Sequence, residues 1–357
     1  MTNSNAGSAD RTSDRDRTGR RNRLKPISTG KRVTPQARDL LWFSKLAEHG
    51  PLPSSFLLAY GQTSHRSDKR AKERLTNLFN EDNTPHGGPY LIRPPQQFRT
   101  IDSRYNQLVY DLAPAGLAAL QGEGTRVHPT RSGPWLHGFM VSCITASIEL
   151  ACLDRGDIAY IPQSQILARA NVELRWPMRI ADPASGQEFT KDLLSDAVFG
   201  LEYLTDQSRR FRFFAVEADR ATEPATSSNF RRKSFERHLL QYREYVERGG
   251  YREHLKLTAP MLVLNVTSSE KRVQRMLKVT SEHSSHGNNY QLFQCWEDFC
   301  PVFRPPVPNA ALLLGAWARA CDGAMMLLGT EPLRKWSHMM VARCSMDSPK
   351  GFTPWLR

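Results

Sequence analysis

The sequence predicts a mixed chain in two folded units, an α+β unit followed by an α/β unit with the order α-β-β-β-α-β. Three observations predict it. Between residues 34 and 121, three short helical patterns precede two strand patterns. Between residues 135 and 304, a long apolar helical run precedes three strand-like segments, a helix and a buried strand. The Gly-, Pro- and Ser-rich stretch around residues 122–134 separates the two as a linker.

Taken in order, residues 1–33 are poor in apolar side chains and rich in Ser, Asn, Gly and Arg. Such a composition cannot bury enough surface to offset the entropy of ordering, so this arm is expected to be disordered. From Asp10 to Arg32 it carries nine Lys/Arg against three Asp, and such an arm can add phosphate contacts. Order is expected from "TPQARDLLWFSKLAEHG", with Thr34 as N-cap, Pro35 in the first turn, an apolar stripe of Leu40, Phe43 and Ala47, and Gly50 as the stop. "PLPSSFLLAYG" reads as a second short helix. "TSHRSDKRAKERLTNLFN" reads as a third, capped by Ser64, with Ala71, Leu75, Leu78 and Phe79 on one face and Arg66, Lys69, Arg70 and Glu73 on the other. "PYLIRP" and "QLVYDLA" then form a hairpin around the loop "PQQFRTIDSRYN", which carries Arg99 and Arg104, and "PAGLAAL" closes the unit as a helix.

Three helices followed by a hairpin are the order of a winged helix-turn-helix. There the third helix enters the major groove of duplex DNA and the hairpin lies along the backbone. Arg66, Lys69, Arg70, Arg99 and Arg104 are therefore the candidate DNA-binding residues. The plainer alternative is a unit of the same shape used for protein contacts, its charges forming a solvated face.

Bulk properties agree with a polyanionic partner. The 357-residue chain has 49 Lys and Arg against 36 Asp and Glu, a formal net charge of +13. No apolar run reads as long enough to cross a membrane, and the N-terminus lacks the apolar core of a secretory signal. A bacterial cytoplasmic location, no membrane partner and free, mostly core cysteines (Cys143, Cys152, Cys295, Cys300, Cys321 and Cys344) are expected.

The second unit opens with the helix "WLHGFMVSCITASIELACLDRG", followed by the strands "NVELRWPMRI", "SDAVFGLEYL" and "RFRFFAVEAD". The helix "SFERHLLQYREYVERGG", the buried strand "PMLVLNVTS" and the helix "SEKRVQRMLKVTSEH" follow, and residues 305–357 read as a helical extension. Side chains alternate along a strand, so Glu217 and Asp219 share a face. If the turn "TDQS" centres the preceding hairpin, Asp196 stands directly opposite Glu217, with Cβ atoms about 5 Å apart. Three carboxylates then converge at the end of an apolar sheet. Their repulsion is expected to raise at least one pKa, and hard oxygen ligands of this kind suit Mg²⁺ or Mn²⁺. The alternative is an idle, solvated strand end. No zinc is expected: His283, His286, Cys295 and Cys300 have no finger-like spacing. His137 is set aside as a core histidine, and the tryptophans Trp296, Trp317, Trp336 and Trp355 read as packing anchors.

The α-β-β-β-α-β order, with an Asp on one strand and Glu-x-acid on the next, resembles the PD-(D/E)XK nuclease-like fold. More narrowly, the chain resembles the replication-relaxation family of bacterial plasmids and other mobile elements. The matching stretches, within residues 34–280, are the first unit through "YDLAPAGLAAL", then "LHGFMVSCITASIEL", "SDAVFGL", and "VEADRATE" followed by a helix with a tyrosine. The resemblance implies double-stranded DNA binding and a role in replication, mobilisation or its regulation, with replication or mobilisation proteins as partners. Two departures stand out. Ser195 precedes Asp196 where family-like sequences have proline, and Asp219 stands where the nuclease motif has lysine. His238, four residues before Tyr242, occupies the place of a lysine moved to the next helix, whereas Lys233 reads as pointing away. The alternative function is a metal-dependent endonuclease: Asp196 and Glu217 bind the metal, Asp219 adds a ligand or orients water, and His238 replaces the lysine. A partner-recruiting scaffold with an inert nuclease-like fold is the second alternative.

Overall fold

A computed structural model describes residues 23–98, 107–122, 134–183, 185–205, 208–227, 229–284, 288–299, 304–320 and 324–327. It is a mixed α/β protein, with helices packed around a mixed sheet. Arg99, Arg104, most of the linker and the outer part of the basic arm lie outside the described residues.

The inner part of the arm was expected to be disordered, and here the structure differs. Residues 27–31 lie against the end of the third helix. The Thr29 hydroxyl donates to Glu81 Oε1 at 2.7 Å, the Ser28 hydroxyl to Oε2 at 3.0 Å, and the Ile27 amide to Asn80 Oδ1 at 3.2 Å. Val33 is buried. Burial alone would raise the Glu81 carboxyl, but these donors outweigh it and hold it below its ordinary range. Composition could not reveal the ordering, because the partners are some fifty residues away.

Helix α1 (Ala37–His49) starts later than the Thr34-Pro35 signal suggests. Asp39 Oδ2 accepts from the Gln36 amide at 2.8 Å, which makes Gln36 the capping residue. Its buried face is Trp42, Phe43 and Leu46, about one position off the expected stripe, since Leu40 and Ala47 are only half-buried. Strand β1 (Leu52–Pro53) leads into α2 (Ser54–Tyr60). Helix α3 (Asp68–Asn80) is capped by Ser67, whose hydroxyl accepts from the Arg70 amide, and not by Ser64. Its core face is the expected Ala71, Leu75, Leu78 and Phe79. Strands β2 (Leu91–Ile92) and β3 (Val109–Leu112) pair antiparallel, β1 adds to the other side of β3, and α4 (Pro114–Gly122) closes the unit.

Helix α5 (Trp135–Leu153) is buried at nearly every position from Phe139 to Cys152, as an all-round apolar helix must be. By length and composition it could cross a membrane, which corrects the sequence expectation, but most of it is enclosed by the protein. One side faces the sheet and the other faces α1 and α2, so a single apolar cluster runs from Trp42 and Phe56 through Ile144 to Val263.

The sheet also differs from expectation at its edges. Its outer strand is β4 (Ile158–Ile161), which was missed because four residues carry little periodicity. After α6 (Gln163–Ala170), the expected first strand "NVELRWPMRI" contributes β5 (Arg175–Ala181), which leaves the sheet to pair with β6 (Glu188–Leu194) as a separate ribbon. Pro177 cannot donate to a second neighbour, and only Ile180 of β5 is buried. Strand β7 (Ala197–Thr205) and strand β8 (Ser208–Asp219) form the hairpin in the register the turn implied. Helix α7 (Phe235–Tyr242) runs into a π-helical turn and then α8 (Gly250–Leu255). Strand β9 (Met261–Thr267), buried throughout, lies parallel to β8, and α9 (Glu270–Glu282) crosses to the parallel strand β10 (Gln291–Cys295).

The run after Pro305 was expected to be helical. Its described residues form the four-residue α10 (Ala311–Leu314), then β11 (Ala316–Ala318) and β12 (Ala324–Met326) on the β10 edge. Gln294 on β10 donates to the carbonyls of Ala311 and Ala316, and a Cβ on Gly315 would fall 2.5 Å from the Ala311 carbonyl. An open sheet edge thus takes a sequence whose local preference is helical. Trp296 and Trp317 are buried as anchors, while Trp336 and Trp355 lie outside the described residues.

Candidate functional site

The β7–β8 ladder pairs Ala197 with Val216 at its open end, so Asp196 and Glu217 are the next opposed positions. Both line one cleft with Asp219, His238, His137 and Lys233. The cleft lies where β8 and β9 end in parallel and α7 and α9 pack close by, with His137 of α5 on its wall. The sheet end brings Asp196 and Glu217 together as expected.

Each carboxylate already has protein partners. Asp196 Oδ1 is 2.8 Å from His137 Nε2, and Oδ2 accepts from the Ala218 amide at 2.8 Å. The Tyr242 hydroxyl donates to Glu217 Oε1, and His238 Nδ1 lies 3.4 Å from Oε2. The same tyrosine oxygen is 2.8 Å from Ser195 Oγ. Ser195 is thus a hydrogen-bonding partner at the site. Asp219 is diverted: Arg272, in the first turn of α9, donates to its Oδ2 through Nη2 at 2.6 Å and Nε at 3.1 Å.

Electrostatics separates the facing pair. Burial works to raise the Asp196 carboxyl, but the His137 hydrogen bond and charge, with the Ala218 amide, outweigh it and hold the group low. Burial raises Glu217, and the charge of Asp196 raises it further against the pull of His238 and Tyr242. Repulsion between opposed carboxylates does raise one pKa, though desolvation is the larger cause. The hydrogen bond to Asp196 raises His137 despite burial. Burial and the neighbouring Glu217 push the Tyr242 phenol well up, so it is a neutral donor here and no ready nucleophile.

A Mg²⁺ or Mn²⁺ ion held by Asp196, Glu217 and Asp219 was the expectation from the sequence, and all three line the cleft. Among the described residues no group of three or more His, Cys, Asp or Glu is disposed to hold a metal ion. Arg272 neutralises Asp219 and leaves Asp196 and Glu217 as the facing pair at the sheet end. His283 pairs with Glu236 at 2.8 Å, while His286 and Cys300 lie outside the described residues.

Two residues dismissed on sequence belong to the cleft. Lys233 was assigned to the far face of a helix, but it precedes the Ser234 cap, so helical geometry does not apply to it. It lines the cleft and pairs with Glu223 at 2.9 Å. His137 is satisfied, as a core histidine would be, but its partner is Asp196. No local pattern marks His137 or Arg272. Each is recruited across the fold, from 59 and 53 residues away respectively.

At the other unit, Lys69 and Arg70 are exposed in the first turn of α3, and Arg70 leans on Glu73 at 3.2 Å. Arg66 is exposed one residue before the cap and so lies off the helix.

The family model described as replication-relaxation matches residues 43–259, which spans both units. No curated protein and no solved structure matches the chain.

Proposed function

The chain belongs to the replication-relaxation family, and from that premise we propose that it is a double-stranded-DNA-binding protein of a bacterial plasmid or mobile element. It acts in replication, mobilisation or their regulation. The first unit is read as a winged helix-turn-helix and the second as a PD-(D/E)XK nuclease-like scaffold. The observation that carries the reading is the basic, exposed start of α3, the third helix before a hairpin, in a chain of net charge +13. Lys69 and Arg70 present cations on the helix, Arg66 presents one beside it, and Lys72 continues the exposed face. These are the groups that phosphate and base edges of a duplex would meet. Arg99 and Arg104 in the hairpin loop are proposed as further backbone contacts.

Charge reversal of Arg66, Lys69 and Arg70 together is expected to abolish duplex binding in a gel shift. Each single replacement should lower the slope of log affinity against log salt by about one. Duplex binding unchanged by the triple replacement would overturn the reading. Cleavage is not part of the proposal, because Asp219 stands where the nuclease motif has lysine and is held by Arg272. Metal-dependent nicking of supercoiled plasmid, lost in Glu217→Ala, would assign an endonuclease instead.

A further inference from the structure

A second cleft, of about 400 Å³, opens at the opposite end of the β7–β8 hairpin. Phe211 in this cleft lies six positions along β8 from Glu217, which is about 20 Å of extended strand. We propose that it binds a nucleotide unit, with the base against Phe211 and the phosphate among Arg169, Arg209 and Lys256.

The floor follows from the register. Ala159, Glu202 and Phe211 form one row across β4, β7 and β8, and Ile161, Gly200 and Phe213 form the next. Directly opposed residues share a face, so these rows make one surface. Gly200 is required there: a Cβ would come within 2.8 Å of the Phe213 ring, which leans into the space a side chain would fill. Leu257 and Ile166 complete an apolar base.

The rim has different chemistry. Arg169 on α6, Arg209 on β8 and Lys256 beyond α8 are exposed and all line the opening. The acid among the lining residues is Glu202, and Arg209 already pairs with it. The lining thus carries a formal excess of two positive charges. Phe211 is 41% exposed, a large aromatic ring left on the surface among cations. An anion alone would not explain the ring, and an apolar ligand would not explain the cations. A nucleotide has both an aromatic face and a phosphate, and the volume falls within the range of about 300–1,000 Å³ usual for small-ligand sites. Lys256 also sits at φ 54°, a left-handed conformation that favours glycine.

The nucleotide unit could come from a free nucleotide or from a single strand of DNA, and the test separates them. The full chain carrying charge reversal at Arg66, Lys69 and Arg70 serves as background, so the result does not depend on the α3 surface. Fluorescence anisotropy would measure binding of a labelled oligothymidylate, with thymidine monophosphate as competitor. Phe211→Ala should weaken the oligonucleotide about 5- to 150-fold, the usual range for loss of one stacked base. Lys256→Gly should weaken binding while relaxing its own backbone, so a fold defect cannot account for the loss. Competition by the monophosphate at comparable concentration would assign a free nucleotide, and its failure with the oligonucleotide bound would assign a strand. Binding that is absent, or unchanged in both variants, would overturn the proposal.

Discussion

At the residue scale, the sheet end is a pair of carboxylates with opposite fates. Asp196 is kept ionised by His137 and a backbone amide, while Glu217 is desolvated beside it. The folded pKa of Glu217 lies above its unfolded value. Its contribution to stability is therefore fully present below the unfolded pKa and is lost as pH rises through the folded one. Glu217→Gln keeps an acceptor for Tyr242 and removes the buried charge. The variant should match wild type in acid and melt higher at pH 8. A melting difference that does not grow with pH would show that Glu217 is not desolvated.

At the scale of elements, α3 is locked to α1 by Arg74. Its guanidinium donates to Asp39 at 2.6 Å and to the Thr34 carbonyl at 2.8 Å. Asp39 is fully buried and also accepts from the Gln36 amide, so one carboxylate caps α1 and anchors α3. Arg74→Ala strands that charge in the core. Losses of this kind cost about 3–5 kcal/mol, which should appear as a lower urea midpoint. The orientation of the proposed DNA-contacting helix depends on this pair, so duplex affinity should fall with it. Arg70, exposed on the same helix, should affect affinity and leave the urea midpoint unchanged.

At the scale of the whole molecule, the two predicted units fold as one body around α5. Glu149 on α5 meets Lys45 at 2.6 Å, His49 at 2.7 Å and Tyr60 at 2.7 Å, all from the first unit. Burial works to raise the Glu149 carboxyl, but His49 and Lys45 outweigh it and hold the group at about 2. A depressed carboxylate gives stability that is present above its unfolded pKa and lost as pH falls through the folded one. Stability should therefore decline between pH 4.5 and about 2. Glu149→Gln should remove most of this acid dependence and cost about 3 kcal/mol at neutral pH. Because the core is continuous across the units, helix and sheet signals should be lost in one transition. Separate transitions for α1–α4 and the sheet would contradict the shared core.

The sequence by itself determined what depends on neighbours along the chain. The core face of α3 follows from a 3.6-residue period, and the opposition of Asp196 and Glu217 follows from a short turn and a two-residue alternation. That one of the facing carboxylates would be raised was legible too, because opposed carboxylates repel, but burial, the larger cause, and the choice of Glu217 were not. Tertiary structure alone decided the rest. Arg272 takes Asp219 out of the acidic cluster, His137 fixes Asp196, and Lys233 enters the cleft just before a helix begins. The ribbon β5–β6 and the hairpin β11–β12 depend on which sheet edges are open. The arm residues 27–31 settle only because Asn80 and Glu81 await them. Periodicity reports which face of an element is apolar, but not which distant side chain will meet its polar end. The chemistry of this site is set by such distant partners.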